Sequence, residues 1–205
     1  MVTYSLGMLA MAVFAVTGVV AGGKKDMDIL TIVILGNVTA IGGGTLRDIL
    51  LDVNPIYWIA DLTYLWVATA ASIAAFFLVP KISRTFKLLE YADGLGVAMF
   101  SVLATQKTLL LGFSWPVAVL MGMITGISGG MLRDILTARM PLLFSRELYA
   151  TPVIVGCTFY VVSNDWFESG YYSQVIAISI IFLFRAVAIR WQFTYPEWLT
   201  YPGNR

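Results

Sequence analysis

Polar positions along this chain are few and bunched, and the apolar stretches between them run for roughly the thickness of a bilayer. The stretches lie at about 3–21, 28–51, 57–79, 91–109, 115–137, 147–163 and 171–191, separated by GGKKD, DVNP, PKISRTFK, TARMP and SNDWFESG. A helix needs about 20 apolar residues to cross a hydrocarbon core of about 30 Å. The pattern therefore predicts an all-α polytopic membrane protein: seven transmembrane helices forming one transmembrane domain over 1–205. The first stretch ends in small residues, as a signal peptide does, but its lysines, Lys24 and Lys25, follow it instead of preceding it. It reads as a retained anchor with its N-terminus outside.

A shift of 86 residues lays 34–55 on 120–141, and 11 of the 22 positions match, including Gly36, Thr39, Ile41 and the run Leu46 to Leu50. The same shift lays Phe14 on Phe100 and Val16 on Val102. An internal duplication accounts for this. Three spans separate the copies, an odd number, so the second copy enters the membrane upside down. The prediction is an inverted 3+3 repeat, 1–85 and 88–165, with 171–191 as an extra seventh helix.

The repeated segment reads GGGTLRDIL in the first copy and SGGMLRDIL in the second. Glycine costs a helix up to about 1 kcal/mol relative to alanine, so Gly42, Gly43 and Gly44, echoed by Ser128, Gly129 and Gly130, predict that spans two and five are broken near mid-membrane. Backbone opened there must face protein or a water-filled cavity, and Thr39 and Thr125 are placed to satisfy it or to line a path. The competing reading is close packing, in which glycines let the two helices touch. Arg47 with Asp48 and Arg133 with Asp134 follow one turn later. Adjacent helical residues point about 100° apart, so pseudo-symmetry pairs Arg47 with Asp134 and Arg133 with Asp48. Such pairs either clasp the repeats together or line a pore.

Composition narrows the chemistry. Hydrophobic residues make up 59%, charged residues 12%, and mean hydropathy is +0.83, far from a soluble chain. A net charge of +1, no histidine and a single cysteine, Cys157, leave no signal for nucleic acid, a cofactor, a bound metal or histidine-based catalysis. No nucleophile–base pair points to an enzyme. Lys24, Lys25, Lys81, Arg84, Lys87, Arg139, Arg146, Arg190 and Arg205 fall on one side of a seven-span layout and only Lys107 on the other, with Arg47, Arg133 and Arg185 set aside as intramembrane. That bias puts the N-terminus outside and the C-terminus in the cytoplasm. Tyr57, Trp58, Trp115, Trp166, Tyr171 and Tyr172 anchor the outer interface, and Asp165 and Glu168 also lie outside. Asp93, at the start of span four, is expected to offset the helix dipole or attract cations to a pore mouth. Lys107 and Arg185 are expected to snorkel, Lys107 alternatively approaching the pore, while Cys157, the methionines and Trp66 read as packing or lipid contact.

The doubled GGGTLRDIL and SGGMLRDIL, the DGLGVAMF that opens span four and the seven-span layout resemble the prokaryotic trimeric intracellular cation (TRIC) channels, a group overlapping bacterial inner-membrane proteins labelled glycine transporters. The resemblance implies a homotrimer in contact with membrane lipids. It also implies one potassium-conducting path per protomer, between spans one, two, four and five, narrowed at the glycine-broken helices. Carried onto this sequence, the motif positions are Gly42 to Gly44, Arg47 and Asp48, then Ser128 to Gly130, Arg133 and Asp134. The residues themselves leave two readings open. Carbonyls and carboxylates suit potassium, whereas arginines and half-helix N-termini suit a small zwitterion such as glycine carried by a secondary transporter.

Overall fold

The polar breaks in the sequence become the ends of helices. In a computed structural model that describes residues 2–23, 25, 27–82, 86–145, 147–164, 170–196 and 198, these are α1 (Val2–Gly22), α2 (Ile29–Leu50), α3 (Tyr57–Ala60), α4 (Thr63–Ile82), α5 (Phe86–Leu110), α6 (Trp115–Leu136), α7 (Ala150–Ser163) and α8 (Tyr171–Trp191), with a 3-10 turn at Leu142–Phe144. Lys24, Arg84, Arg146, Asp165, Trp166, Glu168 and Arg205 lie outside the described residues. Among those described there is no strand, only a single antiparallel bridge between Glu147 and Thr194. Five helices are long and apolar enough to cross a membrane: Thr3–Gly22, Ile29–Leu50, Lys87–Leu110, Trp115–Leu136 and Tyr171–Trp191. Thr63–Val79 and Ala150–Ser163 are shorter apolar helices. The third apolar stretch is divided, since α3 turns back before α4 begins.

Helix ends show why the breaks fall where they do. Asp28 caps α2 by accepting from Thr31 N at 3.0 Å, which holds its carboxyl below the usual carboxylate range and satisfies one of the helix's free N–H groups. At the other end Asp52 takes a left-handed conformation, φ 52°, and Val53 N returns to Asp48 O at 2.8 Å. Ala138, 86 residues on, has φ 50°, and Arg139 N returns to Asp134 O at 2.8 Å. Both helices thus stop in the same left-handed cap, after which Pro55 and Pro141 prevent the helix from resuming.

Spans two and five are not broken. α2 and α6 are each 22 residues of uninterrupted helix through Gly42–Gly44 and Ser128–Gly130. The glycines serve contact, not a break. Every buried position of α2, from Ile32 through Leu35, Gly36, Thr39, Ala40, Gly43, Gly44 and Arg47 to Asp48, lands on a buried position of α6 after the 86-residue shift. The main core joins α1, α5, α7 and α8, with single buried residues from α2, α4 and α6, and Phe14 and Phe100 stack at 5.3 Å between ring centres.

Candidate functional site

The α2/α6 crossing is the centre of the molecule. A Cβ placed on Gly43 would overlap the carbonyl oxygen of Thr125, and one placed on Gly129 would overlap the carbonyl oxygen of Thr39. These contacts are reciprocal under the 86-residue shift, as a twofold axis through the crossing requires. Only hydrogen side chains let the two backbones approach so closely. Thr39 and Thr125 face the crossing and turn their hydroxyls back onto their own helices, to Leu35 O at 2.7 Å and Met121 O at 2.6 Å. Ser128 likewise bonds Ile124 O. With the helices intact these side chains have no opened backbone to satisfy.

Two charged clusters flank the crossing. On the face where α1 begins, the N-face, the fully buried Asp48 receives Arg47 Nε at 2.8 Å, Arg47 NH2 at 2.6 Å and Lys107 Nζ at 2.9 Å on Oδ1. Its Oδ2 receives Tyr57 N at 2.9 Å and Lys107 Nζ at 3.1 Å. The Arg47 guanidinium and the Lys107 ammonium lie 5.5 and 5.9 Å from the centre of the Tyr57 ring. Two cations and one carboxylate leave a surplus positive charge. It borders a cavity of about 300 Å³ lined by Arg47, Lys107, Gln106, Tyr57, Tyr64 and Phe100, among others. Lys107 does not snorkel; it turns inward to Asp48.

On the opposite C-face the balance is reversed. Arg133, fully buried, reaches Asp93 Oδ1 through NH1 at 2.8 Å, Asp134 Oδ1 through Nε at 2.8 Å and Asp134 Oδ2 through NH2 at 3.1 Å. The phenol of Tyr149 donates to Asp93 Oδ2 at 2.7 Å, and Leu142 N to Asp134 Oδ2 at 3.2 Å. One cation faces two carboxylates. Asp93 therefore does not serve the dipole of α5: it sits two turns inside that helix, which begins at Phe86, and is buried as an ion-pair partner. The expected cross-repeat pairs, Arg47 with Asp134 and Arg133 with Asp48, do not form. Each arginine pairs with its own neighbour, because a side chain of four rotatable bonds folds back across the 100° between adjacent helical positions.

Against known proteins, the family model described as "Glycine transporter" matches the chain twice, over residues 4–80 and 90–165. The chain belongs to the glycine-transporter family. A UPF0126 membrane protein of Vibrio cholerae is 38% identical over 94% of this chain and 81% of its own length. The inner membrane protein YadS of Escherichia coli is 36% identical, with 96% of each chain covered. Among solved structures, the TRIC trimeric intracellular cation channel orthologue of Rhodobacter sphaeroides is 30% identical, with a TM-score of 0.89 over 94% of this chain and 99% of that one. A prokaryotic TRIC channel solved in 0.5 M KCl superposes with a TM-score of 0.88 at 26% identity, over 95% and 99%. This glycine-transporter family chain thus has the fold of the prokaryotic TRIC channels.

The fold of this family member also gives Arg185, Tyr57 and Tyr149 places that the sequence does not show. Arg185 does not snorkel: it is fully buried, stacks 4.4 Å over the Tyr149 ring and bonds Leu148 O at 3.0 Å. Tyr149 and Tyr57 each sit at the entry to a helix after the proline turn. Tyr57 reads from sequence as an interfacial anchor and Tyr149 is not marked, because nothing in a tyrosine's neighbours announces an aspartate 56 residues away. Tyr57 follows Pro55 by two residues and Tyr149 follows Pro141 by eight, so the 86-residue shift, which lays Tyr57 on Leu143, gives no signal for Tyr149.

Proposed function

We propose that the chain is a monovalent cation channel, conducting chiefly potassium, with one path per protomer between α1, α2, α5 and α6. The observation that carries this reading is the pair of buried carboxylate clusters, Asp48 and Asp93/Asp134, on opposite sides of the α2/α6 crossing. Each carboxylate is held by a tethered cation where a permeating ion would otherwise sit, and buried charges inside a membrane protein pair with one another or line an ion path. The solved structures of this fold are described as cation channels, not enzymes, which supports the same reading.

In this proposal the described state is closed. The N-face cavity reaches Phe100, whose ring stacks on Phe14, and beyond it Arg133 occupies both C-face carboxylates. Opening requires Lys107 and Arg133 to yield carboxylate oxygens to the passing ion, which those oxygens and nearby carbonyls coordinate in place of water. α4 and α7 join the five longer helices as spans, giving seven in an inverted 3+3 repeat plus α8. The N-terminus lies outside, the C-terminus in the cytoplasm of a bacterial inner membrane, and three copies assemble.

The purified protein in liposomes tests this. Potassium efflux that is electrogenic, uncoupled and unaffected by glycine is expected. Saturable uptake of labelled glycine without potassium conductance overturns the proposal in favour of a transporter of a small neutral amino acid.

A further inference from the structure

α8 lies outside the duplicated segments, yet it contacts the polar interior at both faces. Toward the N-face the buried Gln174 donates its amide to Gln106, a residue of the cavity wall. Toward the C-face Arg185 covers Tyr149 and bonds Leu148 O, and its NH1 stands 3.9 Å from Glu147 Oε2. Among the described residues its Nε and NH2 have no hydrogen-bond partner although both are buried. Donors left unpaired in the interior are costly, and the ring stack, the single carbonyl bond and the more distant Glu147 carboxylate are what hold this guanidinium in place.

The chain after α8 grips the same short segment. Leu148 N donates to Phe193 O at 3.2 Å, Thr194 bridges Glu147, and the Tyr195 hydroxyl meets that of Thr151. Residues 147–151 are therefore held both by Arg185 and by 193–195. Tyr149, in the middle, donates to Asp93, which in turn holds Arg133. Of Asp93's two partners, Arg133 is charged and anchored again by Asp134, whereas the phenol is neutral. Tyr149 is the partner an arriving cation displaces more easily.

We infer that α8 and residues 193–195 form a strap that presses Tyr149 onto Asp93, so that Arg185 and Tyr149 are positioning residues that set how readily a cation occupies Asp93. The inference rests on the channel reading above. It predicts that loosening the strap makes the C-face site easier to fill, and that the seventh helix regulates a path it does not itself line.

The full-length protein in liposomes, assayed for potassium efflux over a range of potassium concentrations, provides the test. Tyr149→Phe keeps the ring and the stack and removes only the donor. It is expected to lower the half-saturating potassium concentration roughly fivefold, the equivalent of one hydrogen bond of about 1 kcal/mol, with a modest fall in melting temperature because Asp93 Oδ2 loses its donor. Arg185→Gln should shift it the same way, Arg185→Lys should restore part of the difference, and the double variant should go no further than the larger single. Tyr195→Phe, a mild change in the tail, should give a smaller shift of the same sign. An unchanged half-saturating concentration in Tyr149→Phe and Tyr195→Phe, or additive effects of the Tyr149 and Arg185 changes, overturns the strap. Absence of potassium flux in the unmodified protein overturns the channel reading instead.

Discussion

Asp48 and Asp134 each divide two oxygens between a side-chain cation and the backbone of the segment that follows. Asp48 takes Tyr57 N and Asp134 takes Leu142 N, so each carboxylate both neutralises an arginine and ties down the turn beyond its helix. Loss of one partner weakens the hold on the other. Asp134→Asn leaves Arg133 still paired with Asp93 and should lower stability by about 1.5–3 kcal/mol, the range for lost hydrogen bonds to a charged group, as read from denaturant or thermal unfolding in detergent. Lys107 is different: its side chain is 31% exposed, so Lys107→Met should change stability by no more than about 1 kcal/mol. The same change should raise potassium flux, because it removes the surplus positive charge at the N-face and one of Asp48's tethered cations. Flux that falls in Lys107→Met contradicts that role. Sequence made these charges visible and mispaired them, since angular separation on a helix says nothing of how far an arginine folds back.

At the scale of the element, glycine clusters have two physical uses, and only the three-dimensional contacts tell them apart. The triplet and its echo carried the duplication plainly, and the apolar runs located the helices, although the run at 57–79 divides into α3 and α4 and α5 starts earlier, at Phe86. What the residues did not reveal was that Gly43 and Gly129 press on backbone carbonyls while Gly42 faces the end of the Leu132 side chain. Gly43→Ala and Gly129→Ala should each cost about 1–3 kcal/mol by forcing the helices apart. Gly42→Ala, where Leu132 can move aside and the helix is intact, should be neutral or stabilising by up to about 1 kcal/mol. Thermal melts of the three variants check this. Equal destabilisation by all three contradicts the packing account. The places of Tyr57 and Tyr149 escaped the sequence because both residues fall at the start of apolar runs, 57–79 and 147–163, whose composition does not separate a turn or short helix from the span behind it.

At the scale of the whole molecule, the proposed orientation rests on the lysine and arginine bias and is tested through loop residues. Phe113 and Met140 are exposed in loops on opposite faces, and the native Cys157 is fully buried. In intact cells a membrane-impermeant maleimide should label Phe113→Cys and spare Met140→Cys until the membrane is opened; the reverse pattern inverts the proposed topology. Particles in detergent should contain three chains, each with its own path. In the proposed channel, the surplus positive charge at one face and negative charge at the other would flank a path whose ions meet a tethered cation at each end. The most direct measurement of that claim is the reversal potential of the reconstituted protein across a planar bilayer under a tenfold KCl gradient. A cation-selective path predicts a value approaching the potassium equilibrium potential, about 59 mV for a univalent ion. A value near zero, one of chloride's sign, or no current at all contradicts it.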